Sequence, residues 1–175
     1  DHIQDILKGM ARSDPVFHPN PGLYLSKHQR FVYSWDWHPK FTVVYTILPG
    51  ATDTESVNEA DLLAFYQNNS SKYQNSLALL NEGFQEKSHE GIAAASTQCA
   101  SIFQKFMPVQ LVDELINLAP KVNALGVIRA YTGHITGLLY PGTDDLLLES
   151  LPTIRQTFNQ YSLPTLVNRA GYGII

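Results

Sequence analysis

Asp14 stands in Arg12-Ser13-Asp14-Pro15, after a stretch with helical spacing, in a loop punctuated by Pro15, Pro19, Pro21 and Gly22. A carboxylate held in such a loop, and not solvated on a helix face, suits orienting or deprotonating a hydroxyl group. Its structural alternative is a helix-terminating, loop-capping aspartate. A second polar pair, Asp53-Thr54, follows the strand-ending Pro49-Gly50. Asp53 and Thr54 could contact a substrate, but Asp53 also fits an N-cap with Asn58 in the first helical turns, and the cap is favoured. The third element, Thr132-Gly133-His134, breaks the apolar run from Gly126 to Leu139. A tight turn between strands needs glycine for positive φ, which by itself accounts for Gly133.

Other constellations carry less. His2, His18, His28, His38, His89 and His134 show no H-x-x-x-H or His/Cys spacing, so no zinc site is expected. No nucleophile elbow supports a Ser/His/Asp triad. Cys99 reads as a small buried apolar residue. Trp35 and Trp37 lack interleaved basic residues and read as core or domain-interface aromatics, not as a base-stacking platform.

Those residues need a scaffold, and the composition bounds it. The chain has 175 residues, 44% of them hydrophobic, enough for one well-buried core or for one domain plus the remnant of another. Its formal charge of -4, with no Lys/Arg run, makes the nucleic-acid backbone a poor partner. Its longest apolar runs fall well short of the roughly 20 residues that a spanning helix needs, so no membrane partner is expected. One cysteine and no cleavable apolar leader point to a reducing cytoplasm. The chain opens on Asp1, already in a helical pattern of Ile3, Ile6, Leu7 and Met10, as though it begins in mid-protein.

Along the chain, residues 23–35 read as one or two extended segments. Residues 41–48 are β-branched and aromatic and end at Pro49-Gly50, a strand. Helical periodicity begins at Thr54, with Val57, Leu62, Leu63, Phe65 and Tyr66 on one face, then Leu77 to Phe84, then Ile92 to Phe103. Pro108 is expected to open a further helix at its tolerated first position. The paired strands around Thr132-Gly133, a turn at Pro141-Gly142, a helix over 144–161 and a short strand over 164–168 complete the order. That order implies an α+β fold, one antiparallel sheet covered by helices on one face, in the manner of a ferredoxin-like split βαβ unit.

Five segments also resemble a family. Phe41 to Asn58 looks like the strand and Asp-Thr-x-x-x-Asn element of bacterial L-threonine kinases in the GHMP kinase superfamily, the enzymes associated with cobalamin synthesis and propanediol utilisation. Ser96-Thr97-Gln98-Cys99-Ala100 is similar to that family's Ala-Thr-x-Ser-Ala helix, and Met107-Pro108 to its Leu-Pro step. Ala124 to Gly133 resembles its Gly-Ala-x-Gly-Val strand and Ala-His-Ser-Gly-Thr turn, and residues 12–19 its Pro-Thr-Asp segment. The matches are collinear over roughly residues 10–142. Tyr131 stands where the family has His, His134 where it has Thr, and Cys99 where it has Ser, departures that bear on substrate identity.

The resemblance implies a remnant of the N-terminal kinase domain over 1–40 and a GHMP kinase C-terminal domain over 41–175. It implies a kinase acting on the hydroxyl of a small amino acid, L-threonine first and homoserine next, with Asp14 as catalytic base. Thr132, Gly133, His134, Asp53 and Thr54 would line the substrate. The family's Gly-rich Gly-Leu-Gly-Ser-Ser-Ala loop has no counterpart in the chain. ATP and Mg2+ would therefore be bound mainly by a segment upstream of Asp1, in the same protein or as another chain. A non-catalytic α+β domain binding a metabolite or partner is the alternative from a different class.

Overall fold

The structure, a computed structural model, describes residues 20–25, 28, 30–50, 57–130, 134–142 and 146–171. They divide into two units between His38 and Pro39. In the first, β1 (Gly22–Leu25) and β2 (Arg30–Ser34) form an antiparallel pair with an irregularity between Leu23 and Tyr24. Trp35 N–H donates to Pro21 O at 2.8 Å, and the rings of Tyr33 and Trp35 meet edge to face at 5.1 Å.

The second unit runs β3 (Phe41–Ile47), α1 (Glu59–Asn68), α2 (Ser70–Gln85), α3 (His89–Phe103), α4 (Gln110–Leu118), a 3-10 turn (Ala119–Val122), β4 (Gly126–Arg129), β5 (Ile135–Pro141), α5 (Leu146–Gln160) and β6 (Leu166–Ala170). Its sheet has the order β4-β5-β3-β6, antiparallel throughout. This is the split βαβ arrangement expected from the element order. The most β-branched strand, β3, takes a central place, with Val44 opposite Leu138 on one side and Val167 on the other.

Strand alternation decides what each face buries. Val127, Leu138, Val44 and Tyr140 point to one face and are fully buried against Leu111 and Leu115 of α4 and Ile154 and Phe158 of α5. Burying each such side chain contributes about 1.5–3 kcal/mol. Two hydroxyls, Tyr140 Oη at 2.9 Å and Ser150 Oγ at 2.8 Å, donate to Val122 O and tie the 3-10 turn to β5 and α5. On the opposite face Phe41 and Leu139 pack against Ile92 and Ala93 at the start of α3.

β4 is an edge strand, and α3 runs along that edge. Ser96 Oγ donates to Val127 O at 2.8 Å, and Val127 N–H donates to Thr97 Oγ1 at 2.8 Å. The hydroxyls thus occupy backbone groups that would otherwise invite another strand.

Several element starts differ from expectation. The N-cap of α1 is Asn58, whose Oδ1 accepts from Ala60 N–H at 3.0 Å; Asn58 is not inside the helix, and Asp53 lies outside the described residues. Leu63 is 56% exposed and so off the buried face. α4 starts at Gln110, not Pro108. Val109 is held extended because the Gln104 side chain takes both its N–H (3.0 Å) and its carbonyl (2.9 Å). β6 starts at Leu166, later than residue 164, since α5 ends through Ser162 in the left-handed region. Cys99 is half-buried, not fully buried.

Candidate functional site

The β3–β5 register places two chain departures at one end of the sheet. Ile47 pairs with Ile135, and beyond them Leu48 N–H donates to His134 O at 2.7 Å. On the neighbouring pair Ala130 N–H donates to Ile135 O at 2.9 Å, closing the β4–β5 hairpin. The chain therefore leaves β3 toward residues 51–56 and leaves β4 toward residues 131–133 from adjoining strand ends.

Of the residues singled out from sequence, His134 is placed here, with its backbone carbonyl engaged by Leu48. Asp14, Asp53, Thr54, Thr132 and Gly133 lie outside the described residues.

A residue not singled out from sequence stands at the same end. Arg129 is the last residue of β4, two positions from Val127, so both point to the helix-covered face. Its η nitrogens donate to Gln104 Oε1 and to Met107 O, and its Cζ lies 4.9 Å from the centroid of the Phe103 ring. Gln104, itself buried, connects this guanidinium to the Val109 backbone. The network pins the α3–α4 connection to the strand end that leads into the hairpin turn. Burial lowers the pKa of the guanidinium, partly offset by the charge of Asp113.

Around it lies an aromatic cluster. Phe65 packs against Phe103 at 6.2 Å, Phe106 at 5.1 Å and Tyr73 at 6.5 Å, and Tyr66 meets Tyr73 at 5.3 Å. The Tyr73 hydroxyl is buried with no hydrogen-bond partner. Burial pushes its pKa well above the usual phenol range, the neighbouring Tyr66 and Cys99 push the same way, and the charge of Arg129 opposes them. The signal that finds Arg129 is the strand alternation itself: a lone cation two residues from a core valine in an apolar strand.

The chemistry this arrangement offers is the attraction of an anion to the half-buried guanidinium, whereas the Tyr73 hydroxyl is itself buried. No group of three His, Cys, Asp or Glu side chains among the described residues is placed to hold a metal ion. Nor does any helix among them have the length and apolarity to cross a membrane. A groove of about 550 Å3 lies near the other end of β4, lined by Leu79, Ala94, Gln98, Ser101, Ile116 and Gly126 among others. It shares no lining residue with the Arg129 cluster.

No family model matches the chain, and no curated protein matches it. Among solved structures it is similar to a homoserine kinase from Cytophaga hutchinsonii, with a TM-score of 0.54 and 10% identity, over 83% of this chain and 46% of that one. It is also similar to the Lin0012 protein from Listeria innocua, with a TM-score of 0.51 and 17% identity, over 81% of this chain and 42% of that one. The chain thus spans less than half the length of either. At these identities the likeness is one of fold: an α+β domain with an antiparallel sheet carried under helices.

Proposed function

We propose that the chain forms the acceptor side of an ATP-dependent kinase that phosphorylates the hydroxyl of a small amino acid, L-threonine, with L-homoserine as the alternative acceptor. The observation that carries this is the kinase-like fold, in which the β3 exit and the β4–β5 turn leave one end of the sheet side by side. The residues that resemble a kinase acceptor site in sequence follow those two exits, apart from Asp14.

Phosphoryl transfer is mainly positioning and charge stabilisation. In this proposal Asp14 orients the acceptor hydroxyl and takes its proton. Thr132, Gly133 and His134 form one wall of the acceptor pocket, and Asp53 and Thr54 another. The described residues do not fit ATP and Mg2+, since they provide neither a clustered ligand set nor a glycine-rich phosphate loop. Nucleotide binding is assigned to a segment upstream of Asp1, in the same protein or in a partner chain. The lack of a glycine-rich loop also favours a second reading, a non-catalytic α+β domain that binds a metabolite or a partner.

The test uses the intact protein with ATP, Mg2+ and either L-threonine or L-homoserine, following ADP release and the phosphorylated product by mass spectrometry. ADP in step with O-phosphothreonine is expected. Asp14→Asn should lower kcat about 10²- to 10⁴-fold, the usual contribution of a positioned base, while circular dichroism remains that of the wild type. Absence of turnover with both amino acids would remove the kinase proposal in favour of the second reading, and full turnover in Asp14→Asn would remove the base assignment.

A further inference from the structure

The groove near the other end of β4, about 550 Å3 in volume, has the size of a small-molecule site. It is separate from the acceptor side of the kinase proposed above and does not depend on it. Its apolar lining comes from Leu79 of α2, Ile116 of α4, Pro120 of the 3-10 turn and Leu125 at the entry to β4. None of the described residues that line it is charged. A charged ligand would leave water there without a counter-ion, so the groove suits a neutral one.

The polar side chains of the groove all come from α3, and their hydrogen bonds decide what they can still offer. Thr97 Oγ1 donates to Ala93 O and accepts from Val127 N–H, both at 2.8 Å. Ser101 Oγ gives its proton to Thr97 O at 2.9 Å, which leaves its oxygen as an acceptor. Gln98 is fixed by Ser76, a residue only 2% exposed. The Ser76 hydroxyl has one proton, and the shorter of its two contacts runs to Gln98 Oε1, at 2.8 Å against 3.1 Å to Lys72 O. That leaves the Gln98 amide nitrogen, with its two N–H donors, without an acceptor among the described residues, on a side chain that lines the groove.

Gln98 and Ser101 are three residues apart on one helix and so are neighbours on its surface. Fixed donors beside an open acceptor are the complement of a carboxamide, whose carbonyl accepts and whose N–H donates. The scaffold is also preset: Ser96 and Thr97 tie α3 to β4 through Val127, so a ligand meets groups that binding need not order.

We propose that this groove binds a neutral carboxamide carried on an apolar body, such as an aromatic amide, with Gln98 Nε2 donating to its carbonyl and Ser101 Oγ accepting from its N–H.

Benzamide is the probe, titrated into the isotope-labelled intact protein and followed by amide NMR, with benzoate and N,N-dimethylbenzamide alongside. Benzamide should shift the Leu125 and Gly126 amides and the Gln98 side-chain NH2 saturably at millimolar concentrations. Benzoate has nearly the same shape but a charge, and should bind about tenfold more weakly or not at all. N,N-Dimethylbenzamide has no N–H to give and should lose about fivefold, the usual worth of one neutral hydrogen bond. Gln98→Leu should cost benzamide about as much, and so should Ser101→Ala, with circular dichroism unchanged. If Gln98→Leu fails to fold, Ser101→Ala and the benzoate comparison carry the test. No saturable shift with benzamide, shifts confined to residues outside the groove, equal affinity for benzoate, or undiminished benzamide affinity in a folded Gln98→Leu or in Ser101→Ala would each overturn the site.

Discussion

Thr46 and Thr136 face each other across β3 and β5, both fully buried on the helix-covered side. Thr136 Oγ1 donates to Ile128 O at 3.0 Å, whereas Thr46 Oγ1 has no partner. The same substitution should therefore have opposite signs at the two positions. Thr46→Val replaces a desolvated, unpartnered hydroxyl with a methyl, so it should stabilise by about 1 kcal/mol. Thr136→Val removes the hydroxyl that donates to the Ile128 carbonyl and should cost about 1 kcal/mol. Urea midpoints read both, provided the slope of the transition is unchanged. A destabilised Thr46→Val would mean that its hydroxyl is satisfied in solution.

At the scale of elements, α3 lies close along β4, and glycine permits it. A Cβ on Gly126 would stand 2.5 Å from Ala93 O and 2.5 Å from Thr97 Oγ1. The first of these is helix backbone and cannot yield without moving α3. Gly126→Ala should thus cost about 2 kcal/mol or more by forcing the helix off the edge strand, and hydrogen exchange at the Val127 amide should rise with it. Unchanged protection there would show that α3 does not cap this edge. The local half of this arrangement was legible in the sequence: β3 from its β-branched run, the hairpin from Thr132-Gly133, α3 from its apolar spacing. Its long-range half was not. Ser96 and Thr97 bonding to Val127, or Gln104 clamping Val109 and shifting the start of α4 past Pro108, involve single polar side chains whose partners have no fixed spacing. For the candidate site, periodicity puts Arg129 on the face of Val127, but nothing local shows that it touches the same aromatic cluster as Tyr73, 56 residues earlier in the chain.

For the molecule as a whole, the alkaline limit of stability follows from its tyrosines. Tyr161, at the end of α5, donates its hydroxyl to Glu114 Oε1 on α4, joining two helices that cover the same face of the sheet. That bond, then burial, then the charge of Glu114 push its pKa up to about 12 from 10.0; burial first, then Cys99, pushes Tyr66 upward too. A phenol whose folded pKa lies above its unfolded value favours the folded state while it stays protonated. The contribution is complete below pH 10.0 and is lost as the pH climbs through about 12. Thermal melts of the wild type and Tyr161→Phe from neutral to alkaline pH should show a wild-type advantage that holds up to about pH 10 and then closes, because only the wild type has this proton to lose. The arms of the comparison share every other titrating group, so those cancel between them. A gap that stays constant above pH 10 would mean that the Tyr161–Glu114 bond does not link α5 to α4 in solution, and the face-covering pair of helices would then be held by apolar packing around Ile154, Phe158, Leu111 and Leu115 without it.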